Sequence, residues 1–87
     1  MITKDNFKEL IQPAIDTLTF AEVYNLDNCL YVFIELHIFN VGAFVSIDTF
    51  NEYSPSKERY AAETGNLYLP IDDFLDLCEQ FGVDLNP

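Results

Sequence analysis

His37 has the clearest potential for acid–base chemistry, because it is the only histidine among the 87 residues. A general base, or a metal site built on imidazole, would have to use it. Glu35 falls on the same face of any strand that holds both residues, and Asp48 follows in the next extended segment. A histidine oriented by a carboxylate is one part of a catalytic site, but the sequence offers no nucleophile in a tight turn and no glycine-rich loop. We therefore expect a protein that is not an enzyme, with His37 an ordinary strand residue.

A second group of reactive side chains consists of Asp72, Asp73, Asp76 and Glu79. Three of them, Asp72, Asp76 and Glu79, recur at helical spacing, which would line their carboxylates along one helix face with neighbours about 5–6 Å apart. Calcium loops instead alternate carboxylates around a glycine bend, so this pattern does not predict a calcium site. We expect neither a dedicated metal site nor a cofactor.

The same row of carboxylates can act as a binding surface. An acidic helix face that is merely solvated usually mixes signs, yet no Lys or Arg follows at the i+4 positions. Carboxylates at this spacing resemble the phosphates of one nucleic-acid strand. They can therefore engage arginines and lysines that would otherwise hold a nucleic-acid backbone. A solvated helix face is the ordinary alternative.

The charge of the whole chain favours the binding interpretation. Fifteen Asp and Glu stand against four Lys and Arg, and the formal net charge is -11. The cations form two clusters, Lys4 with Lys8 and Lys57 with Arg59. Such a surface repels nucleic acid and anionic membranes and attracts basic proteins. We expect a basic protein as the partner and no direct contact with nucleic acid or membrane.

A β-hairpin, predicted over about residues 29–53, should position Glu35, His37 and Asp48. From Leu30 to Phe39 the even positions are all aliphatic and the odd positions are aromatic or polar, as in a long strand. Asn40–Gly42 predicts the turn, and Ala43–Tyr53 predicts the return strand. The face expected in the core comprises Leu30, Val32, Ile34, Leu36, Ile38, Val45 and Ile47.

Apolar residues at helical spacing predict a helix near each end of the chain. The first is expected from about Lys4 to Gln12, with Pro13 ending or kinking it, and a further turn reaching Leu18 is the alternative. The last should begin after Pro70 and close at Gly82 in the left-handed conformation.

Three shorter segments complete the prediction. Thr19–Leu26 fits a short strand, and Tyr60–Ala62 fits a further strand before a turn leads into Leu67–Leu69. The predicted fold is α+β, a small antiparallel sheet with an N-terminal and a C-terminal helix on one face. The order is α-β-β-(β)-α within a single domain, residues 1–87.

The second face of the predicted hairpin is aromatic and acidic, and it permits two interpretations. It carries Tyr31, Phe33, Glu35, His37, Phe39, Phe44, Ser46, Asp48 and Phe50. In one interpretation, another segment, such as Tyr60–Tyr68, folds over these rings and forms a minor core. In the other, they stay exposed and mark a partner interface or a homodimer formed through the sheet.

The two cysteines, Cys29 and Cys78, lie in apolar segments and lack the spacing of metal ligands. We expect them to be reduced thiols in the core. Met1 is followed by polar residues, and the apolar run Cys29–Ile34 is too short to span a bilayer. These features predict a cytoplasmic protein.

Taken together, the acidic composition and the helix-flanked sheet resemble a class of proteins. Small acidic inhibitors that phages make against host defence, including anti-CRISPR proteins and other DNA mimics, look similar. So do immunity proteins that neutralise basic nuclease toxins. The resemblance implies a non-catalytic inhibitor of a nucleic-acid-binding effector or a nuclease, and a sheet-mediated homodimeric structural subunit remains the alternative. The residues expected to contact a partner are Asp72, Asp73, Asp76, Glu79, Glu35, Asp48, Tyr31 and Phe33.

Overall fold

The computed structural model describes residues 1–85 and is an α+β fold, in which four helices pack on a three-stranded antiparallel sheet within that range. The elements are α1 (Phe7–Asp16), α2 (Phe20–Asn28), β1 (Tyr31–Phe39), β2 (Gly42–Phe50), α3 (Pro55–Thr64), β3 (Leu67–Pro70) and α4 (Ile71–Gln80). The predicted fold class is confirmed, and α2 and α3 are additions to it.

The predicted hairpin is the centre of the sheet, whose strand order is β2-β1-β3. β1 pairs with β2 along its whole length, from Tyr31 opposite Phe50 to Phe39 opposite Gly42. β3 is shorter and pairs only with the first four residues of β1. The five residues of β1 beyond Ile34, about 17 Å of strand, therefore have a neighbouring strand on one side only.

The aliphatic face of the sheet packs against α1, α2 and α4 and forms the main core. Val32 and Ile34 of β1 have no exposed surface, and Val45 of β2 is buried beside them. Two residues predicted to belong to this core, Leu30 and Ile38, are instead exposed. Leu30 precedes β1, and Ile38 lies next to the hairpin turn, so both fall at the margins of the layer that the helices cover.

Helix α1 begins later than predicted, at Phe7, because Asn6 Oδ1 accepts a hydrogen bond from the Thr3 amide and holds residues 4–6 in a turn. Pro13 does not end the helix, which continues to Asp16, so the alternative of a further turn is correct although the turn stops short of Leu18. Ile11 before the proline and Ile15 after it are both buried. Continuing the helix keeps both in the core, which outweighs the backbone hydrogen bond that proline cannot donate.

The strand expected over Thr19–Leu26 is wrong, because this segment forms α2. Thr19 Oγ1 accepts from the Glu22 amide, and the Glu22 carboxylate accepts from the Thr19 amide. This reciprocal pair satisfies two amides that a helix start leaves unpaired, and so stabilises the helix.

The strand expected at Tyr60–Ala62 is also wrong, because these residues lie in α3. Ser54 caps the helix, Pro55 occupies its first turn, and Gly65 ends it with a φ of 71°. α3 lies on the aromatic face of the sheet, where Ala61 packs with Phe33 and Tyr68 in a second, smaller cluster.

The predicted C-terminal helix is confirmed as α4. Phe74 and Cys78 are fully buried, and Ile71, Leu75 and Phe81 pack around them. Gly82 has a φ of 72°, and the Val83 amide donates to the Cys78 carbonyl at 2.8 Å. This closure returns Val83 to the core and fixes the rotation of α4 about its axis.

Candidate functional site

The carboxylates predicted on the last helix lie together on the solvent side of α4. Asp72, Asp73, Asp76 and Glu79 are all exposed, whereas Phe74 and Cys78 anchor the opposite side in the main core. A helix of this length spans about 15 Å, and residues one turn apart are neighbours on it. The row is therefore carried by a rigid element.

These carboxylates are not neutralised by neighbouring cations. Within residues 1–85, none of the four forms an ion pair with a Lys or Arg side chain. Lys57 belongs to α3, on the other face of the sheet, and its Nζ lies 4.8 Å from the centroid of the Phe50 ring. Lys8 Nζ lies 3.7 Å from the position that a Cβ would take at Gly82, just past the end of α4. A cation at that end interacts favourably with the helix dipole, as do Asp72 and Asp73 in the first turn.

Glu35 and Asp48 do not join this row. Both project from the aromatic face of the sheet, whereas α4 packs on the aliphatic face. Asp48 is exposed and lines a cleft between α2 and β2 together with Glu22 and Asn25. The acidic residues expected to form one partner surface therefore occupy two separate sides of the molecule.

Glu35 is engaged in a small polar network. The Tyr60 hydroxyl donates to Glu35 Oε2 at 3.0 Å, and His37 Nε2 lies 3.6 Å from Glu35 Oε1. His37 Nε2 is also 2.9 Å from Ser46 Oγ. The hydrogen bond to Glu35, together with its negative charge, raises the pKa of Tyr60.

This network does not have the geometry of a nucleophile, base and orienting acid. In such a relay one imidazole nitrogen faces the nucleophile and the other faces the acid. Here the same nitrogen of His37 faces both Ser46 and Glu35. Asp48 pairs with Phe33 in the sheet register, whereas the residue opposite His37 is Phe44. The contacts fix the orientation of His37 on the strand surface without assembling a relay.

Tyr31 and Phe33, both predicted as contact residues, belong mainly to the scaffold. Phe33 is buried beneath α3 beside Ala61. Tyr31 stacks on Tyr68, with ring centroids 5.6 Å apart and planes 9° from parallel. Its half-buried ring packs against the second cluster. Phe33 is therefore covered by the protein's own helix, and its side chain offers little surface for the predicted partner contact.

The aromatic face is covered at one end and open at the other. Beyond α3, the Phe44 ring stacks on His37 at 4.6 Å and on Phe39 at 5.3 Å. Ile38 and Val41 are exposed beside them. We call Ile38, Phe39, Val41 and Phe44 the hairpin tip. One end of this face therefore forms the minor core of the first interpretation, and at the other end the rings are exposed, while a partner interface there stays a prediction.

Ile38 and Val41 were not among the predicted contact residues. A sequence signal for the tip does exist: residues 36–47 contain no Asp, Glu, Lys or Arg, and this is the longest such run in the chain.

Three further properties of residues 1–85 concern metal binding, membrane-spanning helices and cysteines. No group of three or more His, Cys, Asp or Glu side chains in this range is arranged to hold a metal ion. None of the helices described has the length and apolar character required to cross a membrane. The two cysteines are free and buried.

Comparisons with protein-family models, with curated proteins and with solved structures gave no match to this chain.

Proposed function

We propose that this protein is a non-catalytic inhibitor that occupies the nucleic-acid-binding surface of a basic protein. The observation that carries the proposal is the exposed row Asp72, Asp73, Asp76 and Glu79, which α4 holds without compensating cations. The partner is a nucleic-acid-binding effector or a nuclease. The protein acts in the cytoplasm, in the manner of phage anti-defence proteins such as anti-CRISPR proteins and DNA mimics.

The first support is electrostatic. A net charge of -11 on a small chain creates a long-range negative field, which accelerates encounters with a basic groove. Once in contact, carboxylates form short, charge-assisted hydrogen bonds with arginine and lysine. The same basic groups would otherwise hold phosphates, so binding of the inhibitor and of nucleic acid would be mutually exclusive.

The second support is preorganisation. Phe74 and Cys78 fix α4 against the sheet, and the closure at Gly82 fixes its end. The carboxylates are therefore presented at set intervals before binding. Affinity is gained when ordering costs are removed in advance, so a fixed row binds better than the same charges on a mobile segment.

The cytoplasmic location is supported by the thiols. Cys29 and Cys78 are both free and buried, and neither pairs with the other. Proteins of oxidising compartments commonly use their cysteines in disulfides, whereas those of the cytoplasm keep them reduced.

The proposal is tested by reversing charges in pairs on the purified protein. The partner is first captured from source cells on immobilised protein, and labelled duplex DNA or RNA is then competed against the inhibitor for it. The double variant Asp72→Lys with Asp76→Lys should slow association about tenfold or more and flatten its salt dependence.

The control is Glu52→Lys with Glu63→Lys, two exposed positions away from α4 that change the net charge equally. If both double variants lose the same amount, the net charge acts without a specific surface. If the α4 variant binds normally, or if nucleic acid and inhibitor bind together, the proposed mechanism is wrong.

A further inference from the structure

The hairpin tip is unusual for this protein because it lacks charge. Ile38 is 73% exposed, Phe39 55%, Val41 98% and Phe44 50%. The run 36–47 that contains them has no Asp, Glu, Lys or Arg, in a chain with fifteen acidic residues. The acidic side chains therefore lie on the rest of the molecule, and the hairpin tip is an exposed apolar surface without them.

No helix of the described residues covers the tip. The cluster beneath α3 ends at Phe33, and Tyr60 reaches only as far as the carboxylate of Glu35. Residues of α1 line a cleft together with Ala43, Phe44 and Val45, but Phe44 stays 50% exposed and Ile38 73% exposed. The tip is consequently apolar on both sides of a two-stranded ribbon.

We propose that the tip is a dimerisation surface and that its occupant is a second copy of this chain. Two molecules with a net charge of -11 repel each other, and the repulsion is weakest where the contacting surfaces carry no charge. A two-fold contact places tip against tip, so each uncharged apolar surface meets an identical one. A basic partner would instead bring cations to a surface with no carboxylate to pair with them.

The available area fits a weak dimer. Phe39 and Phe44 are about half exposed, and the smaller Ile38 and Val41 are mostly exposed, so the four side chains offer on the order of 500 Å² per copy. Two copies together approach about 1,000 Å², which is the lower limit for a specific interface. The stacked rings of Phe39, Phe44 and His37 are already ordered, which reduces the entropy lost on association.

This association leaves α4 accessible in both copies. α4 contacts β3 and the first residues of β1, whereas the tip lies at the far end of β1. Tip-to-tip contact therefore produces a particle with two separated acidic helices. The inference does not depend on the proposed function.

The test is sedimentation equilibrium of the purified full-length chain over a concentration series, at about 50 mM and about 500 mM NaCl. We expect a reversible dimer that becomes stronger at high salt, because salt screens repulsion between the acidic bodies while apolar contact persists. The expected salt dependence of dimerisation is therefore opposite to that of binding between α4 and a basic protein, because salt weakens the latter.

The variant Val41→Asp places a charge at the tip and should weaken the dimer about tenfold or more, because the charge enters the contact twice. Val41 is 98% exposed, so its replacement should leave the circular dichroism spectrum and melting temperature almost unchanged. The matched control is Phe20→Asp, which adds the same charge at an 89% exposed apolar residue of α2 and should dimerise like the parent.

Amide chemical shifts recorded during dilution should change mainly within residues 37–45. The proposal is overturned if the parent is monomeric at about 1 mM in both salts. It is equally overturned if Val41→Asp dimerises as strongly as Phe20→Asp, since the contact would then lie elsewhere.

Discussion

The two ends of the hairpin share their strands, their register and their alternation, and they differ in what covers them. At one end Phe33 is 8% exposed, because Ala61 of α3 and Tyr68 of β3 pack over it. At the other end Phe39 is 55% exposed and Phe44 50%, although their rings stack on each other. The side chains are of the same type and project from the same face.

The difference shows that an alternating pattern assigns side chains to faces without stating which part of a face is covered. Coverage of the aromatic face depends on α3 and β3, which follow the hairpin in sequence. β3 pairs only with Tyr31–Ile34, and α3 therefore packs over that half. The division between scaffold and open surface is set by the length of β3.

The largest difference in stability between the two ends of the hairpin is expected when one phenylalanine at each end is replaced by alanine. Phe33→Ala should reduce the free energy of unfolding by about 3–5 kcal/mol, since it leaves a cavity beneath α3. Phe44→Ala removes a half-exposed ring and should change it by less than about 1 kcal/mol. Urea unfolding followed by circular dichroism measures both. Equal losses would mean that the tip is as well packed as the covered end.

Cys78, in the main core on the aliphatic face of the sheet, is fully buried and can be compared with the partly covered aromatic face. Burial raises the pKa of the Cys78 thiol from its ordinary value of 9.0 to about 11. The neutral thiol is therefore favoured by folding, and the unfolded chain ionises first as the pH rises. The corresponding stability is fully present below pH 9 and is lost as the pH approaches 11, by about 2–3 kcal/mol.

Urea unfolding between pH 8 and pH 11 should show this loss, and Cys78→Ala should show a smaller one. The variant will be less stable at pH 8 because it leaves a small cavity, so the comparison concerns the slope with pH. Identical slopes in the parent and the variant would show that the thiol is hydrated in the native state.

The smallest effect is expected at Tyr60, on the border between the covered and open ends. Its hydroxyl donates to Glu35, and this hydrogen bond raises the pKa of Tyr60. The bond stabilises the fold while the phenol is protonated, and that contribution is lost as the pH rises through the native-state pKa. Glu35→Gln should shift the ionisation of one tyrosine to lower pH.

The ultraviolet absorbance of tyrosinate follows this ionisation, and Tyr60→Phe identifies the tyrosine concerned. If the titration curve of Glu35→Gln overlays that of the parent, the hydrogen bond between Tyr60 and Glu35 does not persist in solution. In that case α3 is not tied to β1 at Glu35.

The hairpin and α4 were predictable because short-range patterns determine them. Period-two alternation identified β1, and the apolar stripe with Gly82 identified α4 and its closure. α2 and α3 were missed, although both carry local start signals: Thr19 with Glu22, and Ser54 with Pro55. These helices bury few residues, only Leu26 in α2 and only Ala61 in α3, so their apolar periodicity is weak.

The candidate surfaces were predictable to a lesser extent. Helical spacing alone places Asp72, Asp76 and Glu79 on the solvent side of α4, because Phe74 and Cys78 occupy the other side. The separation of Glu35 and Asp48 from that row depends on which face of the sheet each helix covers. Local sequence patterns do not predict which face a helix covers, because that depends on contacts between residues distant in sequence.

Contacts between the two ends of the sequence also affect how the protein is made. The Gln12 side chain forms two hydrogen bonds with the backbone of Asp84, at 2.9 and 2.7 Å, and the Ile2 amide donates to Gly65. The ring of Phe7 packs against Phe74 and Phe81. An N-terminal segment emerging from the ribosome therefore lacks these packing partners until α4 has been synthesised. The main core can close only after α4 has emerged, and a nascent chain that stalls before α4 would offer an exposed apolar surface to chaperones and proteases.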